Sequence, residues 1–175
     1  MDTWTAIDSV RVVREFSDEP LAESDLTRIL NAGRRAGSSK NTQRWAFVVI
    51  TDKDLLQELS NGGPFAGHVA GAAVAIALVT PDPHDPQSPL SVVWDSGRAA
   101  QNMVLAAWEL GIGSAPATVY DHALVSASLK LPPGQHCEYL LSFGYPKDPA
   151  VLKAPKKAGG RRPLDEVVHK ERWSD

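Results

Sequence analysis

Residues 69–79 read VAGAAVAIALV, and these eleven residues are the longest apolar run in the chain. A helix that crosses a membrane needs about 20 such residues, so this run can only be interior. Its second part, residues 72–79, reads as a strand buried on both faces. Such a strand needs apolar cover above and below, which implies a layered sheet with helices packed on it. The remaining sequence has the material for that. Hydrophobic residues make up 43% of the 175 and charged residues 22%, a globular composition that excludes disordered, collagenous and coiled-coil chains. The length suits one domain, 1–175, able to bury roughly two-thirds of its unfolded surface.

Charge and cysteine content narrow the class further. A net charge of −3 argues against a nucleic-acid module. The single cysteine, Cys137, excludes an internal disulfide framework and a cysteine zinc cluster. It reads as a packed thiol and fits a reducing compartment. The N-terminal Met1-Asp2-Thr3-Trp4 lacks a basic segment followed by an apolar one, so a cytoplasmic protein with no membrane segment is expected.

Short apolar runs and helical patterns alternate along the chain. Residues 3–13 form a candidate helix capped by Thr3. A second opens at Glu23-Ser24-Asp25, with Leu26, Ile29, Leu30 and Gly33 on one face. Residues 37–43 are a polar loop, and 45–50 a buried strand. Asp52 caps a helix carrying Leu55, Leu56 and Leu59. Residues 80–89 contain Pro81, Pro83, Pro86 and Pro89, which bars a helix interior or a central strand and predicts a surface loop. Residues 90–110 are the longest periodic segment, with Val93, Gly97, Ala100, Gln101, Val104, Ala107 and Trp108 near one stripe and Gly111 placed to end the helix. A helix over 121–129 and a third strand over 138–145 follow. Residues 147–175 carry Lys153, Lys156, Lys157, Arg161 and Arg162 and read as a C-terminal arm, too poor in apolar residues to fold alone. The alternation is not a clean βαβ repeat, so the sheet need not be parallel.

Three features could carry chemistry. Arg11 and Arg14 lie three apart and would share a face of the first helix, where two guanidiniums can clamp a phosphate or an anionic ring; the same spacing also describes a solvated basic face. Ser38, Ser39, Asn41 and Gln43 place four hydrogen-bonding side chains in six residues ahead of a core strand. Such a loop can grip a polar heterocycle or be an ordinary turn. The basic residues of 153–162 could bind phosphate or form a solvated arm. The five histidines, His68, His84, His122, His136 and His169, show no ligand spacing in sequence, so no metal site is expected. No phosphate-binding glycine motif and no nucleophile elbow is present.

Taken in order, R-x-x-R-x-F at 11–16, the loop Gly37-Ser38-Ser39-Lys40-Asn41-Thr42-Gln43-Arg44-Trp45, residues 95–113 with Gln101-Asn102, the Phe143-Gly144-Tyr145-Pro146 turn and the Arg161-Arg162-Pro163 stretch resemble the FMN-dependent nitroreductase family across nearly the whole chain. The serine-asparagine-glutamine-tryptophan loop is the most specific piece. The resemblance implies an α+β fold, with a mixed, largely antiparallel sheet sandwiched by helices and an extended C-terminal arm packing on a partner subunit. It implies a homodimer with FMN between the subunits. By position, Arg11 and Arg14 would face the flavin phosphate and pyrimidine edge, and Ser38, Ser39, Asn41 and Gln43 would approach from the partner chain. Pro116, Ala117 and Thr118 would supply backbone contacts near N5, and Arg161 with Arg162 would grip the phosphate.

The implied reaction passes electrons from NAD(P)H to a nitroaromatic, quinone or similar acceptor by a ping-pong hydride mechanism. Arg14 would be the cation beside the edge where reduction develops negative charge. The family usually reads R-R-S-x-R-x-F, and this chain has Val10 and Val12 at the first arginine and the serine. Two alternatives therefore stay open: a flavin- or ligand-binding protein of the same fold without turnover, and another flavin redox reaction such as dehalogenation.

Overall fold

The computed structural model describes residues 1–154 and 160–173; Lys156 and Lys157 of the basic arm lie outside them. Four strands, β1 (Ala46–Ile50), β2 (Val74–Pro81), β3 (Gly113–Thr118) and β4 (Gln135–Gly144), form one sheet in the order β1-β2-β4-β3. Every neighbouring pair is antiparallel. The long apolar run supplies β2, an interior strand whose residues are buried from Val74 through Thr80. Among the described residues, five helices cover the sheet: α1 (Thr3–Ser9), α2 (Glu23–Arg34), α3 (Lys53–Leu59), α4 (Ser91–Glu109) and α5 (His122–Ser128). The expected α+β sandwich is the observed one.

Strand alternation divides the core into two layers. Ala75, Ala77, Val79 and Leu140 face Leu56 and Leu59 of α3 and Val125 of α5. Val74, Ile76, Leu78, Leu141 and Phe143 face Ile29 of α2 and Met103 and Ala107 of α4. Asp52 caps α3 as the sequence predicts, accepting from the Leu55 amide, and Asp121 caps α5 by accepting from the Leu124 amide, each at 2.9 Å. Such caps contribute about 1 kcal/mol. Gly111 ends α4 with φ +77°, the left-handed conformation that a helix-terminating glycine adopts without a Cβ penalty.

Several elements differ from expectation. The first helix stops at Ser9 rather than residue 13, and its cap is Asp2, not Thr3. The β-branched Val10, Val12 and Val13 leave the helix for an extended path beside the sheet. Val12 bridges Ser114 in parallel, Phe16 bridges Pro146 in antiparallel fashion, and the Val13 amide donates to Ser114 O at 2.9 Å. Gly113 permits this approach, because a Cβ there would stand 2.6 Å from the Val13 Cβ. β3 reads GSAPAT, a strand that the sequence does not predict. Its Pro116 is tolerated because β3 is the last of the four strands.

The buried stripe of α4 is Val92, Asp95, Ala99, Met103 and Ala107 with Trp108; it shares Ala107 and Trp108 with the stripe expected from sequence and departs from it along the first part of the helix. Val93 is 57% exposed, and Gly97 and Gln101 are also exposed. The C-terminal arm begins against its own chain: Val151 and Leu152, in the 3-10 turn Pro149–Lys153, pack with Val13, Phe16 and Trp108.

Candidate functional site

Residues 10–16 run along β3, and this brings the first arginines to the sheet. Because the segment is extended, positions three apart point to opposite sides, which corrects the shared helical face expected for Arg11 and Arg14. Arg11 turns towards the start of the arm, where its Nη2 and Nε donate to Ala154 O at 2.7 and 3.3 Å. Arg14 is exposed, and its charge acts on His68.

His68 was not singled out by sequence reasoning, and nothing around it in the sequence marks it. It sits in the 3-10 turn Gly67–Val69 that leads into β2. Its Nδ1 lies 2.8 Å from Ser142 Oγ, and that hydroxyl donates to Ala115 O at 3.2 Å. With its proton committed to Ala115, Ser142 accepts from Nδ1–H. Nε2 is buried and has no hydrogen-bond partner. Burial, with Arg14's positive charge second, holds the His68 pKa below its ordinary 6.5 against an opposing contribution from the Pro116 backbone. A buried ring nitrogen without a partner, beside an exposed guanidinium, is a group arranged for a ligand.

The sign of that shift predicts a pH effect. The unfolded chain takes up the proton first, so stability falls as pH drops below about 6.5 and levels off beneath the folded value. Urea midpoints measured from pH 7 to pH 5 should fall more steeply for the wild type than for His68→Gln. Parallel curves would remove His68 from the titration.

The polar loop is built as a strained turn. Lys40, Asn41 and Gln43 have φ of 51°, 54° and 48°, left-handed values that are uncommon outside glycine. The turn is clamped from within: Ser38 Oγ accepts from the Gln43 amide at 3.0 Å, and Gln43 Nε2 donates to Asn41 Oδ1 at 3.2 Å. It is clamped from outside by Asp95 of α4, a carboxylate only 3% exposed that accepts from the Ser39 amide at 2.9 Å. Ser38 and Ser39 line a shallow depression with Trp94, Asp95 and Arg98. Asn41 and Gln43 are exposed. Within one chain, Ser38 to Gln43 do not join Arg11 or Arg14 through any described hydrogen bond.

Pro116, Ala117 and Thr118 are the second half of β3, paired with Leu141, Leu140 and Tyr139. Pro116 is exposed and lines a groove with Val93, Gly97 and Ala100 of α4 and Tyr139 and Leu141 of β4. Arg161 and Arg162 are exposed at the start of the 160–173 segment. Cys137 is buried, and burial pushes its thiol up to about 12, which makes it inert as a nucleophile. The histidines that looked scattered in sequence are not all scattered in space: His84, His122 and His136 converge near Glu138.

The model of the nitroreductase family matches residues 7–62 and 64–145. The chain belongs to that family. An Archaeoglobus fulgidus protein, whose name couples NADH dehydrogenase with NAD(P)H nitroreductase, is 33% identical over 168 residues, spanning 93% of this chain and 94% of its own length. The NADPH-flavin oxidoreductase of Vibrio harveyi is 27% identical over 182 residues, spanning 94% of this chain and 72% of its own. Among solved structures, nitroreductase A of Vibrio parahaemolyticus superposes with a TM-score of 0.86 at 26% identity, covering 100% of this chain and 78% of its own. The first matched segment contains the extended stretch at 10–16 and the strained loop, and the second contains the 3-10 turn carrying His68. No described helix is long and apolar enough to cross a membrane.

Proposed function

We propose that this nitroreductase-family chain is an NAD(P)H-dependent oxidoreductase that uses FMN and works as a homodimer. The observation that carries this reading is the meeting of Arg14, the unpartnered His68 Nε2 and the edge of β3 at one place on the sheet. The chemistry there fits a flavin. The isoalloxazine ring offers carbonyl and ring-nitrogen groups to an arginine, a histidine and backbone amides, and its phosphate needs cations. Arg11 and Arg14, with Arg161 and Arg162 of the arm, would hold the anionic parts. Pro116, Ala117 and Thr118 would line the ring's edge. FMN, when bound, supplies the two-electron chemistry, and the protein supplies position and electrostatics. Arg14 keeps a fixed positive charge where reduction develops a negative one. His68 holds a neutral ring beside it, buried from water on the Ser142 side.

A dimer follows from surfaces that one chain leaves uncovered. Val93 and Trp94 of α4 and Leu90 before it are 57%, 70% and 94% exposed. The apolar groove between α4 and the sheet adjoins them. Contiguous apolar surface of this kind marks an interaction site. A partner covering it would bring its own Ser38, Ser39, Asn41 and Gln43 towards this chain, supplying the polar loop that a single chain keeps apart from Arg11 and Arg14. The acceptor is a nitroaromatic, quinone or similar electron-poor ring, and ping-pong kinetics are expected.

The test is the visible spectrum of the purified protein, with the released chromophore identified by mass, followed by anaerobic NADPH. The expected result is a yellow protein that releases FMN and bleaches on reduction. A colourless protein that takes up no added FMN would overturn the reading. Val12 favours a second one: it is 49% exposed and puts methyl groups where the family has a serine hydroxyl. A protein that binds FMN but is not bleached by NADPH or NADH would be a flavin-binding protein without turnover.

A further inference from the structure

We propose that His122, His136 and Glu138, with His84 completing the set, form a site for a divalent first-row transition metal at the end of the sheet away from Arg14 and His68. The four side chains come from three separate elements. His122 is the first residue of α5, His136 and Glu138 lie near the start of β4, and His84 stands in the proline-rich loop after β2. A β-bulge helps assemble them. Leu78 pairs with Tyr139 and the next residue, Val79, with Cys137, which leaves Glu138 as the extra residue. Bulges of this kind re-aim a side chain. Six positions of β4 separate His136 from Ser142, about 20 Å at strand spacing, so this cluster is distinct from the proposed flavin site.

Two imidazole nitrogens converge on one carboxylate oxygen, and one of the two contacts is a hydrogen bond. His84 Nε2 lies 2.6 Å and His136 Nε2 2.9 Å from the same oxygen, Glu138 Oε1. The His136 contact is out of line for a hydrogen bond, and its Nε2 is buried without a hydrogen-bond partner. His122 Nδ1 is orphaned in the same way. The His122 and His136 rings lie 4.4 Å apart, centroid to centroid. One donor atom from each of His122, His136 and Glu138 falls within 4.8 Å of the others. Two buried imidazole nitrogens left without partners side by side are costly in water-poor surroundings, and a cation coordinated by both lone pairs removes that cost.

Ligand chemistry selects the ion. Three imidazoles and one carboxylate suit zinc and its neighbours, whereas calcium and magnesium call for oxygen ligands. His122, His136 and Glu138 supply the three protein ligands of an open zinc site, and His84 stands next to them with its Nε2 2.6 Å from Glu138 Oε1. A second carboxylate stands behind the first: Asp82 Oδ1 is 3.9 Å from His136 Nδ1, on the ring nitrogen opposite the one facing Glu138. Outer carboxylates on that nitrogen orient ligating histidines. A bound ion would tie the proline loop to the sheet and to α5. Pro83 of that loop lines the groove beside α4, so the ion would also fix one wall of it.

The experiment uses full-length, tag-free protein and zinc chloride alone, followed by calorimetry and thermal melting, with magnesium chloride as the control. One zinc per chain and a raised melting temperature are expected, with no response to magnesium. His136→Gln should lower zinc affinity on the order of 100-fold. His84→Ala, at a side chain 70% exposed and therefore neutral for folding, should lower it about 10-fold. Both variants should keep the wild-type circular dichroism. Wild-type protein that shows no saturable one-to-one zinc binding would overturn the proposal. So would undiminished affinity in either variant, which would assign the ion to other groups. The flavin reading is untouched by either outcome, because the measurement needs no cofactor.

Discussion

Replacing Arg14 with glutamine is expected to lower kcat/KM for NADPH oxidation on the order of 100-fold, close to 2.7 kcal/mol of transition-state stabilisation. Reduction places negative charge on the ring edge that the proposed site gives to Arg14. A guanidinium meets that charge without reorganising, whereas a glutamine amide offers a dipole in its place. The substitution should leave folding stability within about 0.5 kcal/mol, since Arg14 is exposed and makes no described hydrogen bond. A second readout is independent of turnover. Arg14's charge is one of two causes depressing the His68 pKa. Without it, the folded pKa rises towards 6.5, and the loss of stability between pH 7 and pH 5 becomes shallower. Activity within about threefold of wild type, on protein retaining its flavin, would remove Arg14 from the charge-stabilising role; an unchanged acid profile would separate it from His68.

The sequence revealed the elements whose signals are local. Asp52 announces its helix because a carboxylate at that position satisfies amides two or three residues on. The apolar run of β2 declares a buried strand because nothing else can absorb it. What stayed hidden depends on neighbours distant in sequence. β3, with one glycine, one proline and four small residues, has no propensity to distinguish it from a loop, and only β4 and the extended segment at 10–16 make it a strand. That segment itself reads as helix by spacing, and its β-branched valines together with the close pass at Gly113 decide otherwise. The first half of the α4 stripe differs from expectation, whereas Ala107 and Trp108 agree with it, because Val93, Gly97 and Ala100 are as apolar as the residues that the sheet buries. The exposure of Val93 and Gly97 in one chain is what the proposed partner would explain. His68 and the three converging histidines were legible only as residue types. Their meaning arises from a serine 74 positions away in one case and a β-bulge in the other.

The largest loss outside catalysis is expected at Asp95. Asp95→Ala should destabilise the protein by about 1.5–3 kcal/mol, the range for a buried hydrogen bond to a charged group. It should also expose the loop to trypsin at Lys40 and Arg44. Three residues of that loop hold left-handed backbone angles, each costing on the order of 1 kcal/mol or more. The clamps within the loop bind it to itself, and Asp95 is the one that fastens the Ser39 amide to the body of the protein. Without it the turn can relax to commoner angles, carrying Ser38, Asn41 and Gln43 away from the shape proposed to meet the partner's flavin. Asp95→Asn separates geometry from charge. Its carbonyl oxygen can still accept from Ser39, so it should retain most of the stability and most of the flavin affinity that the alanine variant loses. A urea midpoint for Asp95→Ala equal to wild type, with no new cleavage at Lys40 or Arg44, would show that the loop keeps its strained form unaided. Equal losses in both variants would show instead that the negative charge, rather than the hydrogen bond, is what α4 contributes.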